Sequence, residues 1–170
     1  MAFNILKLIS KSRFLSEKKR LEWYPPFFFM GVKVLSLSAD WREISLKLPL
    51  TMFSRNMGNG MFGGYQTALA DPIAALACNR VLNRQYNVWT RHQEVDFRQI
   101  GNSDLELRFE FPKAIEEQIR LDLKSKGRST PTFEYGFYRS DGVECTHIKN
   151  TVAIRSTDYQ PNHDINKKVS

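Results

Sequence analysis

Two cysteines, Cys78 and Cys145, are all that a chain of 170 residues carries. So few exclude a disulfide framework and a cysteine-rich zinc site, and a reducing, cytoplasmic setting becomes the default expectation. Histidine is nearly as scarce: His92, His147 and His163 include no pair at metal-ligand spacing, so no metal is assigned. Long apolar runs are missing too. Near the N-terminus Phe3, Ile5, Leu6, Leu8 and Ile9 are interrupted by Asn4 and Lys7, with no small-residue cleavage pattern, which argues against a signal peptide. The stretch from Met61 to Asn79 carries one charge but is broken by Gly63, Gly64, Gln66, Asp71 and Pro72, so no stable membrane insertion is expected. Acids are outnumbered, 18 against 25 Lys and Arg, for a net charge of +7. That surplus suits phosphate-bearing ligands, nucleic acid or an anionic surface and by itself selects none of them. Basic residues are scattered among acids after residue 55, and no groove-reading or single-strand motif accompanies them, so nucleic acid is not an expected partner.

What is present is the composition of one globular domain, with 42% hydrophobic and 25% charged residues. Residues 3–22 have the 3–4 spacing of an amphipathic basic helix, whose apolar stripe packs on the domain or rests on an anionic surface; Tyr24-Pro25-Pro26 is expected to end it. Val32–Ser38 and the alternation of Ile44, Leu46 and Leu48 read as two strands joined through Asp40-Trp41-Arg42. Tyr65–Val81 is apolar and alanine-rich with Asp71 as its only acid, which predicts a buried helix. Val88–Ile100 and Asp104–Phe111 read as strands, Ala114–Lys126 as a surface helix stopped by Gly127, and Phe133–Arg139 and Val143–Ile154 as a hairpin turning at Asp141-Gly142. Six mostly antiparallel strands around one buried helix make an α+β domain.

Chemistry concentrates between the second strand and the buried helix. Four of the nine glycines fall between positions 58 and 64, where the backbone must take unusual angles, allow a close approach, or simply turn tightly into the helix. Backbone amides at a helix start stabilise charge that develops on a carbonyl oxygen, and a carboxylate can activate water or attack directly. Asp71 supplies that carboxylate as the only acid of the segment, although Asp71-Pro72 would also make an N-cap followed by a first-turn proline. Asn56 is a candidate for positioning and equally a turn residue. Cys145 and His147 share a strand face but lack an activating context for nucleophilic chemistry.

Asn56, Gly63-Gly64 and Leu69-Ala70-Asp71, set behind a strand pair, resemble the hotdog-fold thioesterases of the phenylacetate type, and more narrowly a bacterial group with Ala-Asp-Pro on the central helix. The resemblance covers roughly residues 25–156. It implies a curved antiparallel sheet of about six strands wrapped around the central helix, preceded by a helical extension over residues 1–24 and followed by a tail over 157–170. It further implies an acyl-CoA or acyl-carrier thioesterase, with Gly63 and Gly64 polarising the thioester carbonyl, Asp71 as base or nucleophile, and Asn56 positioning the carbonyl or the water. No cofactor is implied beyond coenzyme A as part of the substrate. Many members have histidine where this chain has Phe62, which offers no donor. Phe62 and Tyr65 beside the glycines, and Arg55 and Arg91 flanking them, are the candidate substrate contacts; Arg80 and Arg84 are further candidates for the carrier phosphates. Trp23, Tyr65 and Phe27–Phe29 would line an acyl tunnel or serve as core or dimer contact.

Gly63 and Asp71 stand eight residues apart, about 12 Å along a continuous helix. One helix then cannot present both to one carbonyl, whereas two antiparallel copies can, so a homodimer with two composite sites is expected, alone or paired into a tetramer. A non-catalytic acyl-binding protein is the alternative. A hotdog dehydratase fits less well, because no paired histidine and aspartate stand at a suitable spacing.

Overall fold

The computed structural model describes residues 16–159. Most of the helix expected over 3–22 and most of the tail therefore lie outside the described residues. What remains of the helix is α1 (Glu17–Glu22), whose Ser16 cap accepts the Lys19 amide at 3.3 Å. The prolines do more than end it. Pro25 and Pro26 open a second short helix, α2 (Pro25–Phe29), at positions whose N–H groups would be unused anyway. In this turn Phe27 is fully buried while Trp23, Phe28 and Phe29 are exposed, so only one ring of the aromatic run belongs to the core.

Six strands follow the expected order: β1 (Lys33–Leu37), β2 (Glu43–Leu48), β3 (Asn87–Phe97), β4 (Leu105–Glu110), then β6 (Thr132–Tyr138) and β7 (Glu144–Arg155). A two-residue strand, β5 (Arg128–Ser129), adds a seventh that the pattern did not announce. The spatial order is β1-β2-β4-β6-β7-β3, every pairing antiparallel, with β5 beside β7. This is a curved sheet holding a long central helix, α3 (Gly63–Val81). The surface helix α4 (Lys113–Lys126) ends where Gly127 turns left-handed at φ 64° and returns its amide to the Leu123 carbonyl, and Gly142 at φ 83° makes the expected hairpin turn.

The sheet's inner face supplies Leu46, Leu48, Leu105, Leu107, Phe137, Ile148 and Val152, and α3 supplies Leu69, Ile73, Ala74 and Ala77, all with essentially no exposure. Each buried large side chain contributes about 1.5–3 kcal/mol relative to leaving it in water. Yet α3 is not buried all round, contrary to its composition. Gly64, Ala68 and Asp71 are exposed and Ala75 half-buried, a stripe at helical spacing that faces away from the sheet. At the sheet's edge, β3 pairs only with β7 among the described residues and has no buried residue along its length.

Candidate active site

The loop into α3 is held by its backbone and by one side chain. Met61 donates to the Gly101 carbonyl and Phe62 to the Ser54 carbonyl, both at 2.7 Å. Asn56 Oδ1 accepts the amides of Gly58 at 2.9 Å and Gly60 at 3.1 Å, while its Nδ2 donates to the Met61 carbonyl at 3.4 Å. Asn56 is thus the organiser of the loop, which is the turn role weighed above. None of the four glycines has a positive φ; that conformation falls on Asn59 at φ 62°. Close approach is the reason for glycine here: a Cβ on Gly60 would meet Ile100 Cγ2 at 2.8 Å, and one on Gly63 would meet Phe97 Cζ at 2.8 Å. A Cβ on Gly64 would run into the Phe62 ring.

Phe62 occupies the N-cap with no side-chain bond, and the Gly63 and Gly64 amides have no partner among the described residues. These N–H groups carry the positive end of the helix dipole. Beside them opens a cleft of about 440 Å³, lined by Asn56, Gly63, Gln66, Phe97, Arg98 and Ile100 among others. It gathers two of the expected site residues, Asn56 and Gly63. Gly64, Phe62 and Tyr65 lie next to it on the exposed side of the helix start. Arg55 turns back to the Asn59 carbonyl at 3.3 Å, and Arg91 is the extra residue of a bulge on the open edge strand β3.

Two turns along, the Asp71 carboxylate is exposed and makes no hydrogen bond or ion pair among the described residues. Asp71 is the ninth residue of a continuous helix, so the N-cap alternative does not hold. Pro72 follows inside the helix and leaves the Ala68 carbonyl without its usual donor. Around this proline, side chains from three strands donate to helix carbonyls. Tyr135 Oη reaches Ala70 O at 2.7 Å, Thr90 Oγ1 reaches Asp71 O at 2.7 Å, Asn150 Nδ2 reaches Asp71 O at 3.0 Å, and Gln93 Nε2 reaches Thr67 O at 3.2 Å. Asn150 Nδ2 also lies 3.0 Å from Tyr135 Oη. Asn150 is fully buried and its Oδ1 has no partner among the described residues, a costly arrangement that a leucine would avoid. Burial pushes the Tyr135 hydroxyl pKa up, and the Asp71 charge pushes it further. The clamp fixes the turn that carries Asp71 and leaves its carboxylate open.

The remaining candidates have other duties. Arg80 pairs with Glu17 at 2.7 Å and lies over the Trp41 ring, at the far end of α3. His147 is flanked by Glu144 and Glu134, and burial pushes the Cys145 thiol pKa up, away from thiolate chemistry. Gln66, read in the sequence only as an interruption of an apolar stretch, and the Thr90–Tyr135–Asn150 set were not picked out there as site residues. Gln66 alone left a sign there, as a polar residue three positions after Gly63 in an apolar helix.

Residues 15–154 match the family model described as "Domain of unknown function (DUF4442)". The chain belongs to that family. No curated relative matches it. Among solved structures, the DUF4442 chain is similar to a protein of unknown function and probable thioesterase from Pseudomonas aeruginosa, with a TM-score of 0.68 at 14% identity over 76% of this chain and 86% of that one. A protein of unknown function from Chlorobaculum tepidum gives 0.68 at 15% identity over 89% and 94%. A thioesterase from Haemophilus influenzae gives 0.62 at 13% over 95% and 97%. At such identities the likeness establishes the fold, and the DUF4442 chain has the hotdog fold. No helix among its described residues is long and apolar enough to cross a membrane.

Proposed function

We propose that this protein is a thioesterase that hydrolyses acyl-CoA or acyl-carrier thioesters in the cytoplasm, as a homodimer. The observation that carries the reading is one continuous helix with amides at Gly63 and Gly64 and an exposed carboxylate at Asp71, none of which has a partner among the described residues. Asp71 removes a proton from water, the oxygen adds to the thioester carbon, and the carbonyl oxygen's charge rests on the glycine amides. The C–S bond then breaks and the proton held by Asp71 passes to the leaving thiolate, giving acid and thiol. Direct attack by Asp71 through a mixed anhydride is the other route open to the same groups. Eight residues of helix separate the two functions by about 12 Å. The small-residue stripe on α3 and the unpaired edge of β3 support the pairing of two copies that would bring one subunit's amides to the other's Asp71.

A non-catalytic acyl-binding role is favoured by one observation: the Phe62 ring, which offers no donor, lies against Gly64. Thiol release from short, long and aromatic acyl-CoAs separates the two. Asp71→Asn is expected to lower turnover by about 10²–10⁴ without disturbing folding, since the side chain is exposed. Turnover that survives the substitution removes Asp71 from the chemistry, and a strictly monomeric active protein in sedimentation removes the composite site.

A further inference from the structure

Gln66 is 3% exposed, in a helix whose sheet-facing neighbours are apolar. Its Oε1 accepts the hydroxyl of Thr146, itself fully buried on β7, at 2.6 Å. That bond sets which way the amide faces. The remaining polar atom, Nε2, has no partner among the described residues, nor is it one of the sealed, unpartnered side-chain atoms. It therefore reaches a surface, and the surface that Gln66 lines is the cleft beside Gly63. Leucine or methionine would fill the same space without placing an unused donor there.

Gly63 and Gln66, three residues apart on one helix face, bring N–H donors to a cleft lined by apolar Met61, Phe97 and Ile100 and by polar Asn56, Arg98 and Gln99. The donors call for an acceptor oxygen, and the apolar groups suit the carbon skeleton attached to it. We propose that Gln66 is a substrate-contacting residue whose Nε2 donates to a carbonyl oxygen of the acyl thioester, with Thr146 the positioning residue that turns the amide toward it. This rests on the thioester reading above and assigns that site a donor.

Two inert coenzyme A analogues with the same acyl length test it: a ketone, with CH₂ in place of sulfur and the carbonyl kept, and an alkyl thioether without the carbonyl. The full chain is expected to bind the ketone at least about tenfold more tightly, since each neutral hydrogen bond to the carbonyl, from Gln66 or a glycine amide, adds up to about tenfold. Gln66→Met should cut that preference several-fold, leaving the share owed to the glycine amides, with thioether binding within about twofold. Thr146→Val should reduce the preference and Thr146→Ser restore it, a rescue that separates orientation from packing. Gln66→Glu, which puts an acceptor in place of the donor, guards against a misfolded methionine variant and should disfavour the ketone. A preference that Gln66→Met leaves undiminished overturns the proposal and leaves the thioesterase reading intact; a wild-type protein that binds both analogues equally overturns the proposal too. Failure to bind either analogue, together with no hydrolysis, overturns both.

Discussion

Helix α3 ends in a cleft on either side, and the two differ in what their polar groups are doing. The cleft at its start, about 440 Å³, has few charges but keeps backbone amides and the Gln66 Nε2 unspent. The one at its end, about 570 Å³, is larger and far more charged, with Arg42, Arg80, Arg84 and Arg120 facing Glu17, Asp40 and Glu116. There most charges answer one another, although the exposed Arg84 makes no ion pair among the described residues. Arg80 pairs with Glu17, Arg42 with Asp40 at 3.1 Å and with Glu116, and Arg120 with Glu116 at 2.8 Å. Arg42 Nη1 is left over, yet it is sealed from solvent and no ligand in the cleft reaches it. A helix C-terminus also repels anions. Size and charge, Arg84 included, would pick the second cleft for a carrier phosphate, whereas the unsatisfied neutral N–H donors pick the first for a carbonyl oxygen.

Breaking the far cleft should therefore cost stability and spare activity. Arg42→Ala leaves the half-buried Glu116 with Arg120 alone and Asp40 without its partner, and a loss of about 2 kcal/mol is expected, a fall of about 4–8 °C in Tm for a chain of this size. Calorimetry beside acyl-CoA kinetics checks it; a raised KM with an unchanged Tm would make the far cleft the carrier site. A smaller effect is expected from the clamp near Asp71. Tyr135→Phe removes the hydroxyl bonded to Ala70 O and Asn150, for about 1 kcal/mol. If the clamp positions Asp71, kcat should fall several-fold with KM unchanged. Unaltered kcat would reduce it to a structural support of the proline-interrupted helix.

Much of the fold was legible because it is written locally. β4 alternates Leu105, Leu107 and Phe109 with charged neighbours, and the observed burial alternates with it. Asp141-Gly142 and Gly127 mark turns through their own backbone needs. β3 was read too long, to Ile100, because its composition stays strand-like; the chain turns after Phe97, where Arg98 and Gln99 both donate to the Cys145 carbonyl. The glycines and Asp71 were visible as residue types at a meaningful spacing. The groups that orient them were not, because the pairs are made only by the fold: Thr146 and Gln66 lie 80 residues apart, Asn150 and Asp71 79. No periodicity connects such partners, and a buried asparagine or threonine in a strand looks like any other polar position.

The smallest effect tests how fully the far cleft is paired. Burial opposes ionisation of Glu116, but hydrogen bonds and charge from Arg42 and Arg120 outweigh it, so its pKa lies below the ordinary carboxylate value. The unfolded chain takes up that proton first as pH falls, at about 4.3. The stabilisation is therefore complete above that value and is lost as pH drops through the lower, folded-state pKa. Glu116→Gln cannot make the same ion pairs at any pH. It should be less stable than the wild type by about 1 kcal/mol near neutrality, and the gap should close between about pH 5 and pH 3. Denaturant titrations across that range read the gap directly. A constant gap would mean that packing around the side chain, and not its charge, holds α4 to the turn before β2, and the contrast between a paired and an unpaired end of α3 would then rest on the open amides and Gln66 alone.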